Sequence, residues 1–424
     1  MSESSVYDGQ SGQHPANGIQ NSSRKLKLLY IHDAPVPSLA ANGVQVAKMC
    51  QAFQAAGADT TLIVPRDGNA GADRYDLIAE AYGLKRHLRF AAKALPVMRV
   101  PGRTLWYGAS AVLSAGLGPH GMVYTRSISV GAAAAALGRP FVLELHMPVS
   151  AYRPVVARRL RRLARGRALR LLVVISDRLR RDYERNMPEV ASRILVAHDG
   201  ADAVRGDVAT LPLRGDFKVG YVGQLYPGKG MEILAALAPR CPWATFHIVG
   251  GNPPDVEHWT ATLRSASNVA FHGHVPHAAT PSYLAAMDVV LAPYLRVVKG
   301  VGGGEQNLAE WMSPLKIFEY MAHGKAIVAS DLAVLGEVLR DEENAVLCAP
   351  EAPADWAAAL DRLRRDADLL NRLGETARWE FEARYTWDRR AKLILDAIQE
   401  HTHVAAHQRG EANDSERCDS DNGE

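Results

Sequence analysis

The sequence predicts an α/β protein in which two doubly wound parallel sheets face each other across a cleft. Short apolar runs alternate with helical stretches along nearly the whole chain. The same plan occurs twice, on either side of a stretch with scattered Gly and Pro at 201–215. A length of 424 residues also exceeds the roughly 250–300 at which a single core stops growing. Strands alternating with helices imply right-handed crossovers and parallel sheets, whose ligands sit at the carboxyl ends of the strands.

In the first half the strands expected are 27–32, 60–64, 122–125, 141–146, 171–176 and 193–198, with helices at 43–56, 128–137, 155–169 and 177–186. In the second half they are 217–223, 244–250, 268–273, 288–293, 325–330 and 344–350. Helices there fall at 231–237, 255–265, 281–287, 314–322 and 355–364. A last helix from about 387 to 400 is expected to cross back and brace the first domain. The division expected is a disordered leader (1–24), a first domain (25–205), a second domain (206–380), a crossing helix (381–400) and a disordered tail (401–424).

Composition narrows the class. With 47% hydrophobic and 22% charged residues the chain reads as soluble and globular, and a net charge of +3 is too small to make nucleic acid a global partner. The four cysteines lie far apart with no CxxC and no metal-ligand spacing, which points to a reducing, cytoplasmic compartment. No stretch reaches the roughly 18–20 apolar residues that cross a bilayer, and the leader has no apolar core of a signal peptide.

The most telling stretch is SPLKIFEYMAHGKAIVASD, 313–331. Ser313 suits an N-cap and Pro314 the first helical position. Leu315, Phe318 and Met321 follow helical spacing, Gly324 is placed to stop the helix, and AIVAS reads as a buried strand. Lys316 is out of place in a first turn, where the dipole favours an anion, and it shares a face with Glu319 and His323. The residues fit either a solvated Lys–Glu pair or an anionic ligand docked at this helix start.

Three other strand-to-helix joints offer candidates. In GQLYPGKG, 223–230, glycines let a ligand approach the backbone and Lys229 supplies a point charge; a surface lysine in a turn is the plain alternative. Gly43 opens a helix after the first strand, where it serves a diphosphate or simply a turn. His146 closes the strand FVLELH, where a structural histidine is the commoner outcome.

These segments resemble, in order and spacing, the retaining glycosyltransferases of family 4, which have the two-Rossmann GT-B fold; the likeness runs from about Lys25 to Glu400. The segments are the helix at 42–57, LELH at 143–146, VISDRLRRDY with VAHDGAD at 174–202, VGQLYPGKG at 222–230 and SPLKIFEYMAHGKAIVASD. The resemblance implies transfer of a sugar, with retention, from a nucleotide-sugar donor (UDP- or GDP-linked) bound mostly by the second domain. No cofactor and no divalent metal are implied. By the same resemblance Glu319 holds the ribose hydroxyls, and Lys229 stabilises the leaving diphosphate. His146 stands beside the donor sugar, and Gly43, Gln224, Gly228 and the turn Ser313–Pro314–Leu315–Lys316 line the phosphates.

Two departures stand out. Gln224 replaces an arginine common in this loop, and Trp311 stands eight positions before Glu319, where the family often has a second glutamate. Glu305 or Glu310 is a candidate substitute. An epimerase on the same fold, or an inactive relative acting as a binding or regulatory subunit, are the competing readings. Finally, YRPVVARRLRRLARGRALRLL, 152–172, is a basic amphipathic stretch with Arg158, Arg159, Arg161, Arg162 and Arg165, and KRHLRFAAK, 85–93, adds a second basic segment. A solvated helix paired with acids is one reading. The other is an enzyme held peripherally at the inner membrane face, with a lipid-linked or polysaccharide-precursor acceptor. Base-stacking aromatics for nucleic acid are missing.

Overall fold

Near-continuous apolar runs become strands covered on both faces, as parallel sheets require. The computed structural model describes residues 25–38, 41–66, 74–85, 88–94, 102–114, 116, 121–300 and 306–402. The expected leader, tail residues 403–424, Glu305, and Arg86 and His87 of the second basic segment lie outside these residues.

The first half runs β1 (Lys27–Ile31), α1 (Ala41–Ala55), β2 (Asp59–Arg66), α2 (Arg74–Tyr82), β3 (Arg89–Ala94), α3 (Arg103–Ser114) and β4 (Gly121–Thr125). It continues α4 (Ile128–Ala136), β5 (Phe141–Leu145), α5 (Pro154–Arg165), β6 (Leu169–Val174), α6 (Asp177–Asn186) and β7 (Ile194–Val196). The second half begins β8 (Lys218–Val222), α7 (Met231–Leu237), β9 (Thr245–Val249), α8 (Pro253–Thr262), β10 (Val269–Gly273) and α9 (Thr280–Ala286). It ends β11 (Val289–Ala292), α10 (Leu315–Ala322), β12 (Ala326–Ser330), β13 (Val346–Cys348), α11 (Pro353–Arg365) and α12 (Ala367–Arg384). A final helix, α13, covers 387–402.

The sheets have seven and six strands, in the orders β3-β2-β1-β4-β5-β6-β7 and β10-β9-β8-β11-β12-β13. Every pairing is parallel. The chain is therefore two Rossmann-like halves, as the alternation of apolar runs and helices predicts. In each sheet the order reverses beside the first strand, β1 or β8, and a crevice opens there.

Four elements went unread in the sequence. α2 and α3 lack a clean apolar stripe, α12 has one in Leu369, Leu373, Ala377 and Phe381, and β3 lies in the basic segment KRHLRFAAK. Pairing with β2 makes that segment an edge strand, and Arg89 forms an ion pair with Asp59. Its part from Arg89 is thus a structural element as well as a basic one.

Two cores cover the first sheet. On one side α1, α2 and α13 pack over Leu28, Tyr30 and Val173, with Trp387, Ile394 and Ile398 supplied by α13. On the other side α3, α4, α5 and α6 pack over Leu29, Val123 and Leu143. The expected crossing helix is thus an integral wall of the first half. The alanine-rich α4 is packed tightly: a Cβ on Gly131 would stand 2.9 Å from the Phe141 ring, and one on Gly108 of α3 3.0 Å from the Val130 backbone.

Candidate active site

The end of β8 and the start of α10 bring two lysines together. Gly223 adopts φ +147°, and a Cβ there would meet Lys316 Nζ at 3.0 Å. The Lys316 ammonium stacks over the Tyr221 ring at 3.7 Å from its centroid, and lies 5.0 Å from that of Tyr294. Lys229 Nζ approaches the same Tyr294 ring at 5.5 Å. Lys316 is 9% exposed, and its ammonium has no hydrogen-bond partner. Burial and the neighbouring Lys229 hold its pKa well below the usual lysine value, against the pull of Glu319. Burial pushes Lys229 down to about 8. Among the described residues, no carboxylate pairs with either ammonium.

This corrects the picture of Lys316 on a solvated face with Glu319 and His323. Lys316 points towards β8, whereas Leu315 and Glu319 turn the other way, into an interdomain cleft of about 300 Å³. There Glu319 Oε1 lies 2.8 Å from His277 Nε2. Burial alone would raise the Glu319 pKa, but His277, His323 and Lys316 outweigh it and hold the carboxyl below its usual range. The cleft is completed by Lys48 and Tyr82 of the first half and by Asp202 after β7. Lys48 is bound there by Asp202 Oδ2 at 2.5 Å and the Gly83 carbonyl at 2.9 Å. The cleft and the lysine pair are thus adjoining regions served by opposite faces of α10, with Glu319 on the cleft side.

The N-cap of α10 is Pro314, not Ser313, and no side chain caps it. Ser313 Oγ instead accepts the Asp199 backbone N–H at 2.9 Å, across the halves. Its neighbours do the same. The Trp311 carbonyl accepts from Ser176 Oγ at 3.1 Å, and the Trp311 ring packs on the first half's α3–α6 core. Leu315 packs on the α1–α13 core. Where the resemblance leads one to expect a glutamate, this chain therefore has a residue that joins its halves. Glu310, the described substitute, lies in a short 3-10 turn.

Glu337 strengthens the same junction. Its carboxylate accepts the backbone N–H of Asp177 at 2.7 Å and of Arg178 at 3.0 Å, and faces His198 Nε2 at 3.0 Å. A carboxylate from the second half thus occupies the positive N-terminus of α6 in the first. Hydrogen bonds to a charged group are worth about 1.5–3 kcal/mol, so Glu337→Ala is expected to loosen the halves without unfolding either. Small-angle scattering should show a larger radius of gyration for the variant at unchanged circular dichroism. An identical scattering curve would show that the Ser176 and Ser313 contacts suffice.

His146 follows β5, and both its ring nitrogens are engaged. Nδ1 lies 2.9 Å from Arg126 Nη2 and Nε2 2.7 Å from Glu144 Oε1. Arginine only donates, so Nδ1 is the acceptor and Nε2 carries the proton. Burial and Arg126 lower the pKa of the ring, which keeps it neutral. Glu144 is fully buried and also accepts from Gln45, Tyr124 and Arg390 of α13. Glu144, His146 and Asp199 form the one three-residue group of metal-ligand type among the described residues. Arg390, only 3.1 Å from Glu144 and 4.0 Å from Asp199, already supplies the charge that a cation would. Arg390, Arg126 and His277 carry no mark in the sequence; only a histidine in the β10–α9 turn could have signalled the last.

Gly43 and Gly228 have structural reasons of their own. Gly43 lies inside α1, where a Cβ would stand 2.4 Å from the Tyr82 hydroxyl that bonds both N–H and C=O of Ser38. Gly228 has φ +81°, a Cβ there would meet the Val297 carbonyl at 2.0 Å, and its N–H donates to Glu232. That N–H is therefore not free for a phosphate. The Gln224 carbonyl accepts from the Tyr221 hydroxyl at 2.6 Å, which holds the 223–230 loop on the strand below.

The sequence pattern of the family described as Glycosyl transferases group 1 matches residues 216–366, which span the second sheet. A phosphatidyl-myo-inositol mannosyltransferase of Mycolicibacterium smegmatis is 34% identical over 167 residues, 38% of this chain and 39% of that one. A D-inositol 3-phosphate glycosyltransferase of Salinispora tropica is 29% identical over 210 residues, 45% of this chain and 40% of that one. The matches thus span about two fifths of these curated relatives. Anabaena Alr3699/HepE, solved in complex with UDP, superposes with a TM-score of 0.67 at 18% identity, over 88% of this chain and all of that one. Sucrose-phosphate synthase from Thermosynechococcus elongatus gives 0.66 at 17% identity, over 90% of this chain and all of that one. The family pattern thus lies on the second half and the GT-B fold runs throughout, so the chain is similar to the group 1 glycosyltransferases, of the family 4 type that its motifs resemble.

Proposed function

We propose that this protein transfers a sugar from a nucleotide-sugar donor to an acceptor, with retained anomeric configuration and without a bound divalent metal. The observation that carries this is the pair of ammoniums, Lys229 and Lys316, at the end of β8, with no carboxylate partner among the described residues. A buried ammonium beside a second, partly buried one, with no counter-ion among the described residues, is costly. A diphosphate delivered against the 223–230 loop would offset that cost, and the relatives solved with UDP and with UDP-glucose bind a donor of this chemistry. Breaking the anomeric bond leaves negative charge on the diphosphate, and fixed cations at that place stabilise it most when the bond is breaking. Glu319 takes the ribose hydroxyls, exchanging its bond to His277 for them. Neutral His146, held rigid by Arg126 and Glu144, borders the reacting sugar, and the acceptor attacks on the face the nucleotide leaves.

The acceptor is a lipid-linked or polysaccharide-precursor hydroxyl, and the protein works in the cytoplasm, peripherally at the inner membrane face. No described helix is long and apolar enough to cross a membrane.

Calorimetry with UDP, GDP and ADP, followed by assays with the matching sugars, tests the reading. Selective binding of one nucleotide and turnover of its sugar are expected; no binding near millimolar concentration would favour an inactive relative. In the same assay Glu319→Ala is expected to weaken the nucleotide about tenfold to a hundredfold, the loss of charged hydrogen bonds worth ~1.5–3 kcal/mol. Unchanged affinity would remove Glu319 from the ribose.

A further inference from the structure

Helices α3, α4 and α5 lie side by side on one face of the first sheet and share its core. Together they carry six arginines (Arg103 and the five of α5) and no acidic residue. On α5 the buried residues are Ala157, Leu160, Leu163 and Ala164, so Arg158, Arg162 and Arg165 face outwards beside the exposed Val155. Arg165 reaches Glu189 at 3.4 Å, but among the described residues no carboxylate pairs with Arg158, Arg161 or Arg162. On α3 the buried residues are Tyr107, Gly108, Ala111 and Val112. Trp106 and Leu113, seven residues apart on the opposite side, are 60% and 70% exposed. Between these two ridges runs α4, drawn in through Gly108 and Gly131 and presenting only small side chains such as Ala132, Ala135 and Ala136.

We propose that this three-helix layer docks on an anionic lipid bilayer. The arginines of α5 engage headgroup phosphates while Trp106 and Leu113 of α3 enter the headgroup–acyl boundary, with the alanine floor of α4 between. The charge selects the partner: three helices that carry arginines and no acidic residue, with Glu189 pairing only with Arg165 at their edge, oppose an anionic surface, and each basic side chain near such a surface adds to binding until salt screens it. The apolar ridge separates a bilayer from a dissolved polyanion. A large indole and a leucine exposed beside an arginine row are the arrangement of an interfacial helix, in which the apolar part is insensitive to salt. A nucleic acid would gain nothing from Leu113. The proposal rests on the membrane-face reading of the acceptor but not on the transfer chemistry.

The test is co-sedimentation of the full chain with vesicles of phosphatidylcholine alone or with a third of phosphatidylglycerol. Binding to the mixed vesicles and not to the neutral ones is expected. Replacing Arg158, Arg159, Arg161 and Arg162 by Ser should weaken it by about a hundredfold or more. The pair Trp106→Ser and Leu113→Ser should leave low-salt binding partly intact but abolish what survives at high salt. Comparison with Trp106→Phe should assign a vesicle-induced blue shift of tryptophan emission to Trp106. Nucleotide affinity of every variant should equal that of the unmodified protein, which separates this proposal from the donor site. Failure of the unmodified, nucleotide-binding protein to sediment would overturn it. So would arginine-dependent binding that the α3 changes leave untouched and that heparin matches, which would make the face a polyanion site.

Discussion

Lys229→Ala is expected to lower kcat by about two to three orders of magnitude while leaving the melting temperature within a few degrees. The magnitude follows from removing one preorganised charge at the leaving group, about 3–4 kcal/mol of transition-state stabilisation. Folding should not suffer, because the ammonium has no carboxylate partner to strand and sits in an unfavourable environment, with burial pushing its pKa to about 8. That value also sets a pH dependence. The free protein loses the Lys229 proton as pH rises through about 8, whereas a bound diphosphate favours the charged form. Nucleotide affinity should therefore fall above pH 8, and binding there should take up a proton, read from calorimetry in buffers of different ionisation enthalpy. The alanine variant should show neither effect. A variant that turns over at the normal rate would take Lys229 out of the site and leave Lys316 as its cation.

The second large effect concerns stability. Arg390→Met should cost on the order of 3–5 kcal/mol, because removing one partner strands the charge of the other in a buried place. Glu144 has no solvent exposure and accepts two bonds from Arg390, at 3.1 and 3.4 Å. Arg390 also donates to the carbonyls of His198 and Ala197 at 2.9 and 3.2 Å. The melting temperature should fall by roughly 10 °C, at ~2–4 °C per kcal/mol. Burial would by itself raise the Glu144 pKa; in the native protein Arg390, with His146 and Arg126, overrides this and holds it well below the usual range. Its charge therefore contributes stability above the ordinary glutamate pKa, lost only as pH falls through the lowered folded value. Without Arg390 burial dominates and the carboxyl protonates more readily, so the deficit should shrink between pH 8 and pH 5. The double change Glu144→Leu with Arg390→Met should be milder than Arg390→Met alone. If denaturant unfolding finds the single and double variants equal, the pair is not what closes this core.

Much of this architecture is local in origin and could be read directly. Runs such as KLLYI and AIVAS are apolar because both faces of a parallel strand are covered, and Gly324 stops α10 in the left-handed region, at φ +61°. The loop carrying Lys229 and the helix carrying Lys316 and Glu319 declare themselves through spacing within a dozen residues. What remained hidden lacked such a signal. α3 shows its apolar residues on both faces, because Trp106 and Leu113 look outwards, so its periodicity is blurred. β3 is a basic edge strand that becomes a strand only by pairing with β2.

The class of fold, the two repeats and the lysines of the cation site were legible along the chain, since each follows from propensity, period or motif over a short window. Their partners were set by long-range packing. Arg390 lies 246 positions from Glu144, Ser313 lies 114 from Asp199 and Glu337 lies 160 from Asp177. Nothing in the neighbourhood of either residue encodes the other. Such contacts exist because two sheets and a returning helix close around one cleft, and burial then makes each unpaired charge or N–H seek whatever group the fold has brought within 3 Å.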